Sequence, residues 1–441
     1  MSRWLLLIYQ MPDLRSRVLF TLGMLAVFRL GVHIPAPGVD REALKQFVTS
    51  NSDTMFGLYD MFSGGALQQY SVFFLGVMPY ITASIMVQIL TVVFPPLERL
   101  SKEGQQGRNQ ITQYTRYGTI VVAVVQSLLA AMQLEQMSNN MVLNPGWQFR
   151  VITVLTMTAG SCFVMWLGEQ ISERGIGNGS SLIITAGIVS QLPQSAFTLV
   201  KKIQANELAL TDAAGLLVLM VAVVGAICWI ERAQRRVPIH YAKRVIGRTV
   251  YGGQTSHLPL KINTTGVIPP IFASSLLMAP ATVLNFWQNE NVQGFAALLQ
   301  PGAWFYNYSY VALIVFFSYF YTAIMFNPVD VADNLKKSGA YIPGIRPGRQ
   351  TAEYIDRLLM RLNGAGAFYL AGVCILPTIL TSQGGIPFHF GGTGLLIVVG
   401  VALDTVAQIE AQLLTRQYDG LQGPRTGGRR RYLTTGSREA L

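Results

Sequence analysis

Charge is what this chain has least of. Only 12% of its 441 residues are Asp, Glu, Lys or Arg, against about 25% in ordinary soluble domains, while 51% are hydrophobic. Cysteine is equally sparse, and Cys162, Cys228 and Cys374 all fall inside apolar runs. That placement reads as small hydrophobes and excludes a disulfide framework. His33, His240, His257 and His389 stand apart without metal-ligand spacing. There is no GxxxxGK[ST] phosphate loop, so any nucleotide-driven work belongs to a partner. GxSxG, HExxH and a pair of membrane aspartates are missing too, which removes the usual intramembrane hydrolases. Short alternating segments are absent as well, so a β-barrel is excluded. These absences point to a protein that is not an enzyme and needs no cofactor.

What the chain does have is apolar runs near 20 residues, the length that spans a bilayer as a helix. Ten are expected, at about 18–35, 71–94, 117–134, 149–169, 181–200, 213–231, 265–286, 308–327, 365–383 and 391–409. The fold class is therefore an all-α polytopic membrane protein. The stretch before the first run, seven apolar residues from Trp4 cut by Gln10, Pro12 and Asp13, is too short for a cleaved signal peptide. An even number of spans leaves both termini on one side. Of the 33 Lys and Arg residues, all but Arg29 and five others (Arg41, Lys45, Arg150, Lys201, Lys202) lie in loops on that side. By the positive-inside rule it is the cytoplasm. Inside the spans, ionisable groups are few. Arg29 is expected to snorkel or pair, Asp404 to pair helices, and Glu169 to end span four in water. Such scarcity argues against an ion-coupled solute transporter, the alternative reading of a ten-span chain.

Two cytoplasmic loops exceed what orientation needs. Residues 232–264 mix arginine with alternating apolar residues and predict a projecting hairpin. Residues 328–364 contain a turn-rich tip presenting Arg346. Both suit a docking surface for an RNA-containing or acidic partner. From Gly420 the tail is Gly/Arg-rich and reads as disordered, able to touch anionic phospholipid or RNA.

One stretch, Phe62 to Phe94, combines a short Gly-containing segment with an apolar run. Pro79 is expected to break the helix partway, and Thr82, Ser84, Gln88 and Thr91 place polar atoms where lipid would not satisfy them. Val77, Ile81 and Ile85 recur every fourth residue, on one helix face.

Many stretches match one family in order: Phe62–Leu67 (FSGGAL), Leu75–Ile81 (LGVMPYI), Trp166–Gly179 (WLGEQISERGIGNG), Phe326-Asn-Pro, Ala332–Gly339 (ADNLKKSG) and Pro343–Gly348 (PGIRPG). Over nearly its full length the chain resembles bacterial SecY, the channel-forming subunit of the Sec protein translocase. The resemblance implies two pseudo-symmetric five-helix halves, residues 1–205 and 206–441, around a central hourglass pore. It implies a short re-entrant plug helix at about 55–69, including Phe62, Ser63, Gly64, Gly65, Ala66 and Leu67. A ring of apolar side chains would form the waist: Val77, Ile81, Ile85, Ile184, Ile271 and Ile397. Val77 is smaller than the family's usual isoleucine. Ser180 is polar where the family commonly has an aliphatic residue, so it is left out. A lateral gate toward lipid would involve Thr82, Gln88, Gln126, Ser274 and Ser275. Lys243, Arg244, Arg248 and Arg346 match the docking positions, although Arg248-Thr249 stands where the family has paired arginines. The implied partners are the SecE and SecG subunits, the SecA motor ATPase, the translating ribosome, signal peptides and the nascent polypeptide. The implied function is translocation of unfolded secretory chains across, and lateral insertion of membrane proteins into, the bacterial plasma (inner) membrane.

Overall fold

A computed structural model describes residues 11–50, 55–136, 142–205, 210–241, 244–246, 249–251, 255–284, 294, 298–299, 303–384 and 392–421. Each of the ten apolar runs overlaps a helix. The first five are α1 (Pro12–Val32), α4 (Met78–Val93), α6 (Gln105–Gln136), α7 (Trp147–Arg174) and α8 (Gly179–Gln204). Between them lie the short helices α2 (Arg41–Ser50), α3 (Met55–Ser63) and α5 (Pro95–Lys102). The second five are α9 (Leu210–Arg232), α10 (Ile268–Leu284), α11 (Trp304–Met325), α13 (Arg349–Gly384) and α14 (Gly392–Leu421), with α12 (Pro328–Lys337) before α13. Six of the described helices are long and apolar enough to cross a membrane alone, and the bent α4–α5 pair makes a seventh.

Several helices outrun their apolar segments: α6 and α13 begin twelve and sixteen residues before the expected spans. Apolar composition marks only the hydrocarbon depth, whereas the backbone hydrogen-bond ladder continues into water.

Each half packs within itself, α4–α6–α7–α8 with α1 on α7 in the first and α10–α11–α13–α14–α9 in the second. The halves meet along two lines. On one, α8 packs on α9 and α14; on the other, α4 packs on α10.

Pro79 departs from expectation. It occupies the first turn of α4, after Val77 as N-cap, where its missing N–H is one of the orphan donors anyway. It therefore starts a helix instead of breaking one, and residues 72–77 before it are turns. That irregular segment is buried yet hydrogen-bonded. The Val72 N–H donates to Ile34 O (3.0 Å), the Ala36 N–H donates to Tyr70 O (2.7 Å), and Gly76 N donates to Phe73 O (2.8 Å). A hydroxyl hydrogen bond joins Tyr70 to Thr153 of α7 (3.1 Å). Non-helical backbone at membrane depth survives only where protein satisfies it.

On the cytoplasmic side the expected hairpin forms. Strands β1 (Gln234–Tyr241) and β4 (Thr255–Lys261) pair antiparallel, Gln234 opposite Lys261. The short strands β2 (Arg244–Ile246) and β3 (Thr249–Tyr251) pair with each other at its tip. Less expected is β5 (Ala340–Tyr341), which adds to β1 and gives the order β4-β1-β5. Val237, Leu260, Ile342, Ile355 and Leu359 form a small core beneath. The two basic loops are thus one body.

Candidate functional site: a plugged apolar waist

The segment after α3 shows why FSGG stands where it does. The Gly65 N–H donates to Asp60 O (3.0 Å) and Gly64 N to Met61 O (3.4 Å), the paired bonds of a Schellman cap. Gly64 has φ 72° and Gly65 φ 87°, backbone that glycine adopts at little cost. The cap ends α3 after Ser63 and turns the chain inward, so that Phe62, Ser63, Ala66 and Leu67 are all buried.

Three helices hold this plug. From α1, Arg29 Nη1 donates to Gly64 O (2.8 Å), so it pairs with a backbone carbonyl of the plug. From α8, Gly187 backs against Gly64 so closely that a Cβ on Gly64 would lie 2.7 Å from the Gly187 Cα. Also from α8, Gln191 Nε2 donates to Asp60 O (3.1 Å). From α14, Gly394 leaves room for the Met61 thioether.

Inward of the plug, Val77, Ile81, Ile184, Ile271 and Ile397 join Met61, Phe62 and Ala66 in one buried apolar cluster, with Ile85 half-buried against it. Apart from Val77, the N-cap residue before α4, these residues come from α4, α8, α10 and α14, so both halves contribute to the cluster. Ser180 is not in that cluster, although it lies beside Val77. Its hydroxyl donates to Asn178 Oδ1 (2.7 Å), and it lines a cavity of about 240 Å³ with Val77, Tyr80, Arg116 and Glu169. Glu169 is not the solvated residue that its position at the end of span four suggested. It accepts from Arg116 Nε at 2.8 Å across α6–α7, and its side chain is only 14% exposed. Asp404 faces Lys261 of β4 at 3.9 Å with both side chains more than half exposed, a pairing worth little.

The seam polar residues behave differently from expectation. The hydroxyls of Thr82, Ser274 and Ser275 donate to their own helices, at Met78 O, Ile271 O and Ile271 O (3.0, 2.9 and 2.8 Å). Gln88 Nε2 donates to Ser84 Oγ one turn back (3.2 Å). Gln126 Oε1 is buried without a partner. Among the described residues none of the five bonds across α4–α10; for the three hydroxyls the reason is that a helical carbonyl one turn back satisfies them locally. The junction is held by apolar contact.

Of the residues expected to dock, Arg346 is exposed between two turns, with its carbonyl accepting from Thr351 Oγ1 (2.9 Å) and Ile342 buried in the small core below. Arg244 lies on β2. Lys243, Arg248 and the tail beyond Leu421 lie outside the described residues. The His240 ring of β1 stacks on Tyr341 of β5 at 6.1 Å. That pairing of the two loops left no mark in composition. The alternating pattern of 234–241 told of one partner strand, and a two-residue β5 is too short to register.

Comparison with known proteins gives a single direction. The profile of the SecY family matches residues 71–406. "Protein translocase subunit SecY" of Aquifex aeolicus (strain VF5) is 47% identical over 423 residues, covering 95% of this chain and 99% of that one. The same subunit of Escherichia coli (strain K12) is 46% identical over 413 residues, 92% and 93% of the two chains. Among solved structures, "The structure of a protein conducting channel" aligns with a TM-score of 0.60 over 94% of this chain and 95% of that one, at 16% identity. A second, "The plug domain of the SecY protein stablizes the closed state of the translocation channel and maintains a membrane seal", aligns at 0.63 over the same shares, also at 16% identity. None of these relatives is described as a solute transporter.

Proposed function

The chain belongs to the SecY family of protein translocase subunits, and from that premise we propose how its residues divide the work of a protein-conducting channel. Unfolded secretory chains pass through the waist, and apolar helices leave sideways between α4 and α10. The membrane is the bacterial plasma membrane, with both termini in the cytoplasm. The observation that carries this reading is the common cluster of plug and ring, in which Met61, Phe62 and Ala66 sit against Ile81, Ile184, Ile271 and Ile397. A dry apolar neck passes a chain that fills it and excludes ions when empty. Residues 1–205 and 206–441 act as the two halves, and Val77 and Ile85 complete the ring. Opening along Thr82, Gln88, Gln126, Ser274 and Ser275 costs packing more than hydrogen bonds, which suits a gate that yields to an apolar signal peptide.

Energy comes from partners. The joined β-sheet body carrying Arg244 and Arg346, with Lys243 and Arg248 nearby in sequence, offers cations to ribosomal RNA or to an acidic face of a SecA-type motor. SecE and SecG complete the complex, and anionic phospholipid meets the basic tail. Replacing Arg346 with Glu is expected to reduce motor-driven export by about tenfold or more, since reversing a docking charge penalises association, while folding is unchanged. Export assays on inverted vesicles check it, and full export with the reversed charge removes the role.

The whole reading is tested by stalling a preprotein in the channel and scanning photo-crosslinkers from Phe62 to Phe94. Crosslinks should concentrate at Val77, Ile81 and Ile85. Uniform labelling, or none, would sink it.

A further inference from the structure

Asp60 is an odd residue to find inside an apolar seal. Its side chain is 3% exposed on a helix whose neighbours, Met61 and Phe62, belong to the apolar cluster. Its carboxyl oxygens have neutral partners. Oδ1 accepts from the Gln68 N–H (3.1 Å), and Oδ2 lies 3.4 Å from Gln191 Nε2. The same Gln191 amide binds the Asp60 carbonyl (3.1 Å), and that carbonyl also accepts from Gly65 N and Ser63 Oγ (3.0 and 3.2 Å). Asp60 is thus the point where the plug's cap and its attachment to α8 converge.

Among the described residues no cation pairs with the Asp60 carboxyl. Arg29, the charged group that α1 turns toward the plug, spends its Nη1 on Gly64 O. On α2, Arg41, Glu42 and Lys45 are exposed to solvent. On α8, Lys201 and Lys202 lie about three turns beyond Gln191, at 3.6 residues per turn. Neither α4 nor residues 392–403 of α14 carry a charged side chain. Tyr59, the adjacent titratable group on the plug's own helix, has a buried hydroxyl without a partner. A carboxylate so enclosed is costly, whereas the neutral acid is not.

We propose that Asp60, Gln191 and Arg29 form a proton-operated latch, in which neutral Asp60 holds the plug docked and loss of its proton from the outer side releases it. Burial pushes the Asp60 carboxyl up to about 6, while in a displaced, hydrated plug it returns to the ordinary range near about 3.9. The docked state therefore binds the proton more tightly, and its advantage falls as pH rises through that interval. Between pH 5 and pH 7 the ratio of displaced to docked plug should rise about tenfold. The seal is then tightest when the outside is acid, the condition in which an ion leak would dissipate a proton gradient.

This inference rests on the plug reading, and its test separates the two. The full complex is reconstituted in planar bilayers, and resting conductance is followed while the outer-side pH is stepped from 5 to 7. Three forms are compared: the unaltered chain, Asp60→Asn, and a chain lacking residues 57–67. The unaltered channel should leak more at pH 7. Asp60→Asn, which keeps the hydrogen-bonding shape without the proton, should stay closed at both values. The deletion should leak equally at both. A deletion as tight as the unaltered chain overturns the plug reading and the latch with it. A leaky deletion together with a pH-independent unaltered channel, or with Asp60→Asn keeping the pH response, overturns the latch alone.

Discussion

Serine at Ile81, Ile184, Ile271 and Ile397 together is expected to raise resting ion conductance by about an order of magnitude or more, because a narrow apolar constriction gates by excluding water. All four isoleucines are buried, and Ile397 is 0% exposed. Burying such a side chain is worth about 1.5–3 kcal/mol, so four replacements remove most of what keeps the neck dry. The new hydroxyls also favour water, since even when bonded to their own helix carbonyls they put polar atoms on the neck that water can solvate. Because the four come from four different helices, the change weakens the neck without breaking any one helix. Serine at Ile85 alone, which is only half-buried against the cluster, should change conductance far less. Planar-bilayer recording decides, and a fourfold variant that leaks no more than the starting channel removes the ring assignment.

Alanine at Gly64 should leave the plug unable to seat, giving a channel that leaks persistently yet folds and inserts. The added Cβ would lie 2.7 Å from Gly187 Cα, a backbone atom that cannot rotate away. The left-handed φ of 72° adds about 1–2 kcal/mol for a side-chain-bearing residue. Gly65→Ala provides the contrast. It carries the same kind of φ, 87°, but a Cβ there meets nothing within 4 Å. It should therefore bear only the conformational penalty and leak much less. Equal leak from the two variants would mean that backbone strain, and not the Gly64–Gly187 approach, governs seating.

Much of this architecture was legible in the chain itself, for reasons of scale. An apolar run near 20 residues is a strong signal, so every expected span overlaps a helix. The fourfold spacing of Val77, Ile81 and Ile85 put them on one face, but that spacing could not say whether lipid or protein lay opposite. Resemblance supplied that. What stayed hidden depends on contacts distant in sequence. Pro79 looked like a break because its neighbours are apolar on both sides; only the preceding turns reveal it as a first-turn residue. Arg29 and Asp60 lie in separate elements, and no local pattern announces that both fasten one glycine-capped helix. Glu169 seemed solvated because Arg116, its partner, is 53 positions away. The seam hydroxyls of Thr82, Ser274 and Ser275 bond carbonyls of their own helices, a local choice that their polarity alone does not reveal.

The late start of α4 carries a further consequence. Sixteen helical residues at 1.5 Å each reach only about 24 Å, short of the roughly 30 Å of hydrocarbon. The turns that precede α4 supply the missing length, and there Ser71, Phe73, Phe74, Leu75 and Val77 are all buried. If α4 and α10 part as proposed, a passing polypeptide would meet on this side the neutral face of Val77, Ile81 and Ile85, on a helix without a charged side chain. Such a surface can accompany glycine, leucine or lysine alike. A conduit that must accept whatever sequence is fed to it gains from a lining that has so little preference of its own.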